Sequence, residues 1–172
     1  MTKEQARILA KHKRNQIDSK KHIIKSKIII QKIEKHYKFI NAKVVGIYSP
    51  IQNEVDIKGL NLFGKVVLYP RINKKKRLEF VEVNNKTKWK KSKFGVLEPK
   101  NGKIINDKID LLIIPSLAKN NNNYRLGYGA GYYDMFLSEY YPLYTMGVIF
   151  DNLEIDFIED NWDIKLDEFI SN

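Results

Sequence analysis

With 172 residues, 43% of them hydrophobic, the chain can bury one core, and we expect a single domain over residues 1–172. It has no cysteine, which excludes disulfides, thiol catalysis and cysteine–zinc sites, and no apolar run approaches the roughly 18 residues that a membrane span needs. Its formal net charge of +11 favours anionic partners, but lysine-rich composition alone does not distinguish nucleotides from nucleic acids or lipids.

The N-terminal segment predicts two helices and lacks the apolar stretch of a secretory signal, so we expect a cytoplasmic protein. Thr2 and Gln5 have the spacing of a capping box that opens a helix over about residues 3–15. Asp18 or Ser19 is predicted to cap a second helix. One buried stripe on that helix is predicted from apolar residues at helical spacing, which are Ile24, Ile28, Ile29 and Ile33.

The rest of the chain alternates between predicted strands and helices. Residues 42–49, 65–69 and 109–114 are continuously apolar, as is typical of parallel strands buried on both faces. Residues 77–83 alternate, which favours a strand with one wetter face. Further strands are predicted at 144–150 and 166–170, and helices at 56–63 and 131–141. The pattern predicts an α/β fold of three layers, with a mostly parallel central sheet flanked by helices.

Three prolines follow the three apolar strands. Pro50, Pro70 and Pro115 stand just past the predicted strand ends, and because proline cannot donate to a sheet, each is expected to stop its strand. Ligands of open parallel sheets bind outside the carboxyl ends of the strands. The segments after these prolines are therefore expected to share one edge of the molecule, where we predict a site.

The most specific feature is the sequence RLGYGAGYYD at residues 125–134, which holds three of the nine glycines within five residues. It follows a predicted strand and opens a predicted helix. Closely spaced glycines let amide groups approach phosphate oxygens, and the helix N-terminus adds partial positive charge. Arg125 can add a charge-assisted hydrogen bond. The loop matches neither the P-loop nor the Rossmann glycine spacing, and a tight turn without a ligand is the alternative.

Other candidates depend more on context. Lys3 and Arg7 lie four residues apart on one helix face and can reach the same anion, although Lys11 and Arg14 extend the pattern into what could equally be a solvated basic face. Glu54 follows the first apolar strand and could bond the donor edge of a heterocycle or handle protons, or be an ordinary exposed acid.

Acidic residues offer candidates for a metal. Asp134 could hold Mg²⁺ beside phosphates, or could complement the helix dipole. Asp163 and Asp167 are further acidic candidates. The basic runs 74–77 and 89–91 combine charge with an aromatic residue, as single-strand nucleic-acid binders do, but solvated loops are the simpler interpretation.

Taken in order along the chain, these segments resemble the 5-formyltetrahydrofolate cyclo-ligase family. The glycine loop followed by Gly-Tyr-Tyr-Asp is the specific motif, and the others gain weight from their order. The resemblance rests on Lys3 and Arg7, residues 47–49 leading to 53–54, and residues 69–71, 78–80, 95–99, 110–115, 125–134 and 162–163.

The resemblance implies the positions of the ligands. Arg125 and Glu54 are the implied catalytic residues, and Asp134 and Asp163 are the implied ligands of Mg²⁺. The reduced folate is implied to contact Ser49, Glu54, Tyr128 and Tyr132. Those implied to surround ATP are Lys3, Glu4, Gln5, Ala6, Arg7, Arg125, Leu126, Gly127, Tyr128, Gly129, Ala130, Gly131, Tyr132 and Tyr133.

The implied reaction converts 5-formyltetrahydrofolate, with or without added glutamates, to 5,10-methenyltetrahydrofolate at the expense of ATP. The formyl oxygen attacks the γ-phosphate, and the neighbouring aryl amine then displaces phosphate and closes the ring. A monomer without nucleic-acid or membrane partners is expected. The alternatives are a related α/β enzyme acting on a sugar phosphate or acyl-CoA without ATP, and a basic RNA-binding module.

The sequence departs from the family pattern near the glycine loop. Ser116 and Lys119 replace the usual Gly and Phe of a Pro-Gly-Leu-Ala-Phe stretch, and asparagines fill 120–123. Ala130 stands where Gly or Lys is common, and Met135 where Arg is frequent. The change at Lys119 puts the packing of that loop in doubt, and the change at Met135 removes a cation that could contact phosphate or carboxylate.

Overall fold

A computed structural model describes residues 1–172 and shows a six-stranded sheet with helices on both faces. The strand order is β10-β9-β6-β1-β2-β3, and every neighbouring pair is parallel except β2–β3. The helices are α1 (Lys3–Asn15), α2 (Ser19–Lys35), α3 (Tyr37–Asn41) and α4 (Tyr132–Glu139). The central strands are β1 (Val44–Gly46), β2 (Val66–Ile72), β3 (Leu78–Val83), β6 (Leu111–Pro115), β9 (Thr145–Val148) and β10 (Glu168–Ile170).

Two short hairpins and a single 3-10 turn complete the structure. One hairpin pairs β4 (Trp89–Lys91) with β5 (Leu97–Pro99), and the other pairs β7 (Ala118–Lys119) with β8 (Arg125–Leu126). The 3-10 turn spans Asp151–Leu153. None of the helices has both the length and the apolar composition needed to cross a bilayer.

Alternate residues of the central strands divide the core into two parts. In β6, Leu111 and Ile113 pack with α1, α2 and α3, whereas Leu112 and Ile114 pack with α4 on the opposite face. All four side chains are fully buried. The predicted three-layer α/β fold with a mostly parallel sheet is therefore confirmed.

The two N-terminal helices begin where the sequence predicts. Thr2 and Gln5 make both hydrogen bonds of the capping box, and the Asp18 side chain caps α2. The predicted isoleucine stripe is only partly correct, because Ile24 is 51% exposed. The buried face of α2 is formed instead by Ser26, Ile29 and Ile33, and Ile24 lies about 200° around the helix from Ser26.

The helix predicted at 56–63 is wrong. Two of its main-chain amides are taken by side chains of α2, and no run of consecutive amide-to-carbonyl hydrogen bonds forms. The Asp56 amide donates to the Ser26 hydroxyl at 3.1 Å, and the Asn61 amide donates to the Glu34 carboxylate at 2.8 Å. The segment is thus an irregular crossover whose apolar residues join the core.

Pro70 does not stop its strand, which corrects a second expectation. It lies inside β2, opposite Phe80 of β3. On the other side, β1 reaches only Leu68, whose carbonyl accepts from the Ile47 amide at 2.9 Å. Alternate residues of a strand direct their main-chain groups to the same side, so the nitrogen of Pro70 points beyond the end of β1. No strand lies there to accept a hydrogen bond, and the missing N–H of proline costs nothing.

Lys119, where the family pattern has Phe, fits its surroundings. Its ammonium group pairs with Glu154 at 3.3 Å and lies 6.0 Å from the centre of the Phe169 ring. The aliphatic stem therefore covers apolar surface while the charge finds a partner.

Gly147 in β9 has no room for a side chain. A Cβ atom there would lie 2.5 Å and 2.9 Å from two carbons of the Phe169 ring, which belongs to the adjacent β10. We expect Gly147→Ala to lower the free energy of unfolding by about 1–3 kcal/mol, measured by chemical denaturation. Gly59→Ala, which would meet only the terminal methyl of Ile30 at 3.3 Å, is the matched control. Equal losses in the two variants would contradict this packing argument.

Candidate functional site

A cavity of ≈ 580 Å³ opens at the carboxyl edge of the sheet, where the prolines predicted a site. Pro70 and Pro115 line it, together with the segment that follows β1. The N-terminal part of α1 closes one end and the tip of the β4–β5 hairpin closes the other. This position follows from the topology, because β1, β2 and β6 are parallel and end at the same edge.

The glycine loop forms one wall of the cavity. It connects β8 to α4, and all residues from Gly127 to Asp134 line the cavity. Gly129 and Gly131 have φ angles of 114° and 69°, which other residues rarely adopt. Gly131 is the N-cap of α4, and no side chain caps that helix. The first-turn amides are therefore left without a side-chain partner, and the positive end of the helix dipole lies at the cavity wall.

Arg125 lies at the base of this loop and is 8% exposed. Its guanidinium donates to the Pro115 carbonyl at 3.1 Å, lies 3.8 Å from the Asp134 carboxylate and stacks on the Tyr133 ring at 5.0 Å. A Cβ on Gly127 would lie 2.8 Å from two nitrogens of this guanidinium. The glycine thus leaves room for the arginine head group to face the cavity.

Two cations of α1 complete the same end of the cavity. The Arg7 Nε donates to the Gly127 carbonyl at 2.9 Å, and Lys3 bonds to Asp160 at 2.8 Å and Asp163 at 2.5 Å. Burial disfavours the charged form of Lys3, but its bonds to the two carboxylates raise its pKa above the usual value.

The other α1 residues implied to surround ATP are elsewhere, as is Leu126. Glu4 and Gln5 face solvent, and Gln5 takes part in the capping box. Ala6 and Leu126 are fully buried in the core. None of these four lines the cavity.

Glu54 lies in the cavity wall and is 6% exposed. Its carboxylate accepts from the Ile51 amide at 3.0 Å. Burial raises the pKa of Glu54 above its usual value, while the Ile51 amide, the charges of Arg14 and Arg125, and the Tyr128 hydroxyl act against this rise. The environment therefore leaves Glu54 able to exchange a proton at a higher pH than an exposed glutamate does.

Ser49 and the two predicted tyrosines also border the cavity. The Ser49 hydroxyl donates to the Leu97 carbonyl at 3.0 Å, which ties the segment after β1 to the β4–β5 hairpin. Tyr128 and Tyr132 flank the glycines on the same wall.

The burial of Glu54 has a consequence for stability. Its pKa is raised in the folded protein, so the folded state binds more protons than the unfolded chain and stability falls as pH rises from the ordinary value of 4.5 through the raised pKa. Glutamine carries no charge that must be buried. We expect Glu54→Gln to be increasingly more stable than the wild type through this pH window, measured by denaturation at a series of pH values. A stability difference that stays constant with pH would contradict the assignment.

The acidic candidates differ in how many of their carboxylate oxygens already have partners. Asp134 accepts from the Ile164 amide at 3.1 Å through one oxygen and directs the other towards Arg125. Asp163 bonds to Lys3 and accepts from the Asp160 amide at 2.7 Å. Asp167 accepts from Thr145 at the sheet edge and does not line the cavity. No group of three or more histidine, cysteine, aspartate or glutamate side chains is arranged to hold a metal ion.

Several cavity residues carry no signal in the sequence that identifies them. Glu98 is 6% exposed and accepts from the Ile72 amide at 3.2 Å, and Arg71 bonds to Glu79 at 2.7 Å. Phe94, on the hairpin tip, is 61% exposed at the mouth. Arg71 and Glu98 lie in segments of the ordered motifs, and the pairing of β4 with β5 brings Glu98 and Phe94 to the cavity that Arg71 of β2 also lines.

The sequence is similar to those of known proteins. A family model described as the 5-formyltetrahydrofolate cyclo-ligase family matches residues 1–172. A 5-formyltetrahydrofolate cyclo-ligase of Mycoplasma genitalium is 32% identical over 136 residues, which cover 76% of this chain and 73% of that protein. One of Mus musculus is 26% identical over 174 residues, covering 90% and 85%.

Two solved structures have the same fold. A 5,10-methenyltetrahydrofolate synthetase from Aquifex aeolicus gives a TM-score of 0.87 at 28% identity, covering 99% of this chain and 89% of that one. One from Mycoplasma pneumoniae gives 0.80 at 24% identity, covering 99% of both chains, and this likeness concerns the fold alone.

Proposed function

The chain belongs to the 5-formyltetrahydrofolate cyclo-ligase family, and we propose that it uses ATP to convert 5-formyltetrahydrofolate to 5,10-methenyltetrahydrofolate. One observation carries the proposal. A single cavity combines a glycine wall and three cations at one end with apolar side chains and the buried Glu98 carboxylate at the other, and the buried Glu54 carboxylate lies beside Tyr128 of the glycine wall. A phosphate chain and a reduced pterin can therefore meet inside it.

The phosphate end would bind the nucleotide. The amides from Gly127 to Gly131 and those of the first turn of α4 would donate hydrogen bonds to phosphate oxygens. Arg125, Arg7 and Lys3 would neutralise the phosphate charge. Lys3 already holds Asp160 and Asp163, so its ammonium group is fixed at the cavity rim before a ligand arrives.

The opposite end would bind the folate. Pro70, Leu78 and Val96 would supply apolar surface for a flat ring, and the Glu98 carboxylate would accept from its polar edge, while Glu54 would contact the folate nearer the glycine wall. Ser49, Tyr128 and Tyr132 would contact the substrate between this end and the glycines.

The reaction requires mainly positioning and charge stabilisation. We propose that the formyl oxygen attacks the γ-phosphate, releases ADP and forms a phosphorylated imidate, and that the aryl amine nitrogen then closes the ring with loss of phosphate and a proton. Arg125 would stabilise the charge that develops on the transferred phosphoryl group. Glu54, whose pKa is raised by burial, would accept the proton of the amine.

Magnesium would be held chiefly by phosphate oxygens and water. No all-protein metal cage is present, and Mg²⁺ commonly binds through one or two carboxylates plus substrate phosphates. Asp134 fits this role because one of its oxygens makes no hydrogen bond to the main chain and faces the phosphate end. Asp163 would have to exchange Lys3 for the ion. When bound, Mg²⁺ would neutralise phosphate charge.

The test mixes purified protein with ATP, Mg²⁺ and 5-formyltetrahydrofolate and follows the near-ultraviolet absorbance of the methenyl product. We expect product formation that depends on ATP, with ADP released in equal amount. Folded protein that binds nucleotide but forms no product, or product formed without ATP, would reject the proposal.

A further inference from the structure

Arg14 is the one side chain whose buried nitrogens are left without protein acceptors. It lies in the last turn of α1 and is 3% exposed. Its Nε and Nη1 atoms are the only buried side-chain nitrogen or oxygen atoms that have no hydrogen-bond partner within the protein. Burying a charged group without full pairing is costly, and apolar side chains of similar size often replace such groups without loss of stability. Stability therefore does not explain why an arginine occupies this position.

The contacts of Arg14 lead directly to the candidate site. Its Nη2 donates to the Tyr128 hydroxyl, and its guanidinium lies 5.5 Å from the centre of the Tyr128 ring. Tyr128 belongs to the glycine wall, between Gly127 and Gly129. Arg14 itself does not line the cavity, so it can act on a ligand only through other residues.

Glu54 is the second residue on which Arg14 acts, through its charge. The positive charge of Arg14 lowers the pKa of the Glu54 carboxyl and so acts against the rise caused by burial. The other charged or titratable groups that act on this carboxyl or touch its residue come from every surrounding element. They are Arg125 and Tyr128 of the glycine wall, Tyr48 beyond β1, Tyr133 of α4 and, through the Glu54 carbonyl, His22 of α2.

We propose that Arg14 is a positioning residue for the reaction of the cavity: it fixes the Tyr128 ring within the glycine wall and holds a positive charge near Glu54. This rests on the proposed function and assigns it a further residue. Tyr128 is 40% exposed and would be free to change rotamer without the bond that Arg14 provides. The unpaired donors are then a consequence of placing the guanidinium for Tyr128 and Glu54 rather than for its own hydrogen bonds.

The experiment compares Arg14→Met, Arg14→Lys and the control Arg77→Met. Arg77 is an exposed arginine 3.7 Å from Glu139 and does not line the cavity. We expect Arg14→Met to lower kcat by about 10- to 100-fold with a smaller change in KM, because the site is misaligned rather than emptied. Arg14→Lys keeps the charge but not the planar head group and should recover part of the loss. Arg77→Met should match the wild type.

Thermal unfolding separates positioning from a structural role. Arg14→Met should unfold at the same temperature as the wild type or higher, because it removes a buried charge with unpaired donors. A merely structural arginine would instead give a lower unfolding temperature, with activity lost only in proportion to the unfolded fraction. That pattern would overturn the proposal.

A readout that needs no turnover keeps this inference separate from the proposed function. With ¹³C-carboxyl-labelled glutamate, the Glu54 signal is assigned by its absence in Glu54→Gln and titrated by NMR. The pKa of the Glu54 carboxyl should be higher in Arg14→Met than in the wild type, and in active protein the acid limb of the kcat profile should move to higher pH with it. If the pKa of Glu54 were the same in Arg14→Met as in the wild type, the proposed role of Arg14 would be rejected, even if the enzyme is active. A shifted titration in a protein that forms no methenyl product would instead reject only the function.

Discussion

Replacing Gly129 with leucine is expected to abolish measurable ATP-dependent turnover while leaving the protein folded. The φ angle of Gly129 is 114°, a conformation that a residue with a Cβ adopts only at a cost of about 1–3 kcal/mol. Its Cβ would lie 3.7 Å from the Arg7 Cζ, so a longer side chain would push against this cation or enter the cavity. Both effects displace the amides that are proposed to donate hydrogen bonds to the phosphates. We therefore expect kcat/KM to fall by at least about 100-fold.

A matched glycine separates this effect from backbone strain. Gly64 has a φ angle of 76° in an open turn, with no atom near the position of a Cβ. Gly64→Leu should cost a similar amount of stability and keep full turnover. The measurement is the absorbance of the methenyl product at saturating folate, with nucleotide binding followed by calorimetry. Gly129→Leu with wild-type kcat and ATP affinity would remove the glycine loop from the phosphate site.

The parts of the fold that the sequence predicts are those with strong local patterns. The buried strands at the centre of the sheet are continuous apolar runs, and the starts of α1 and α2 carry capping side chains at fixed spacing. The glycine loop is equally local, because its three glycines stand out from a glycine-poor chain. These features depend on neighbours in the sequence, so no knowledge of the tertiary structure is needed to find them.

The failures have tertiary causes. Strand β4 is exposed at all three positions and forms only because β5 returns beside it, so periodicity gives no signal for it. The segment 56–63 has helix-like apolar spacing, but Ser26 and Glu34 of α2 accept hydrogen bonds from two of its amides. In β3, Glu79 interrupts the apolar pattern as a solvent-facing residue would. It is nevertheless only 9% exposed, because its carboxylate pairs with Arg71.

The candidate site shows the same division. Lys3 and Arg7 could be placed on one face of α1 from their spacing, and both reach the cavity. Arg14 continues that face, seven residues after Arg7, and sequence reasoning left it among solvated lysines and arginines. Its burial depends on the docking of Tyr128 from a loop 114 residues later in the chain. A contact of that separation leaves no pattern in one sequence.

Arg125→Met is expected to produce the largest loss of catalysis by a side-chain replacement. The guanidinium is 8% exposed, and its bond to the Pro115 carbonyl and its stacking on Tyr133 fix its orientation. A fixed charge in a partly dry site stabilises a transferred phosphoryl group more effectively than a mobile one in water does. An arginine in this role contributes on the order of 10³-fold or more to kcat in phosphoryl transfer, and we expect a loss of that size.

The pattern of the loss identifies the role of Arg125. Methionine keeps the length and packing of the side chain, and Arg125→Lys keeps the charge without the planar fork, so lysine should restore only part of kcat. Asp134 would lose its cationic neighbour at 3.8 Å but keep its bond to the Ile164 amide, so we expect the loop to stay ordered and the unfolding temperature to fall by a few degrees at most. If kcat in Arg125→Met stays within about threefold of the wild type while KM for ATP rises, the arginine contributes uniform binding rather than stabilisation of the transition state. The charge that promotes phosphoryl transfer would then have to come from Lys3, Arg7 or the bound metal ion.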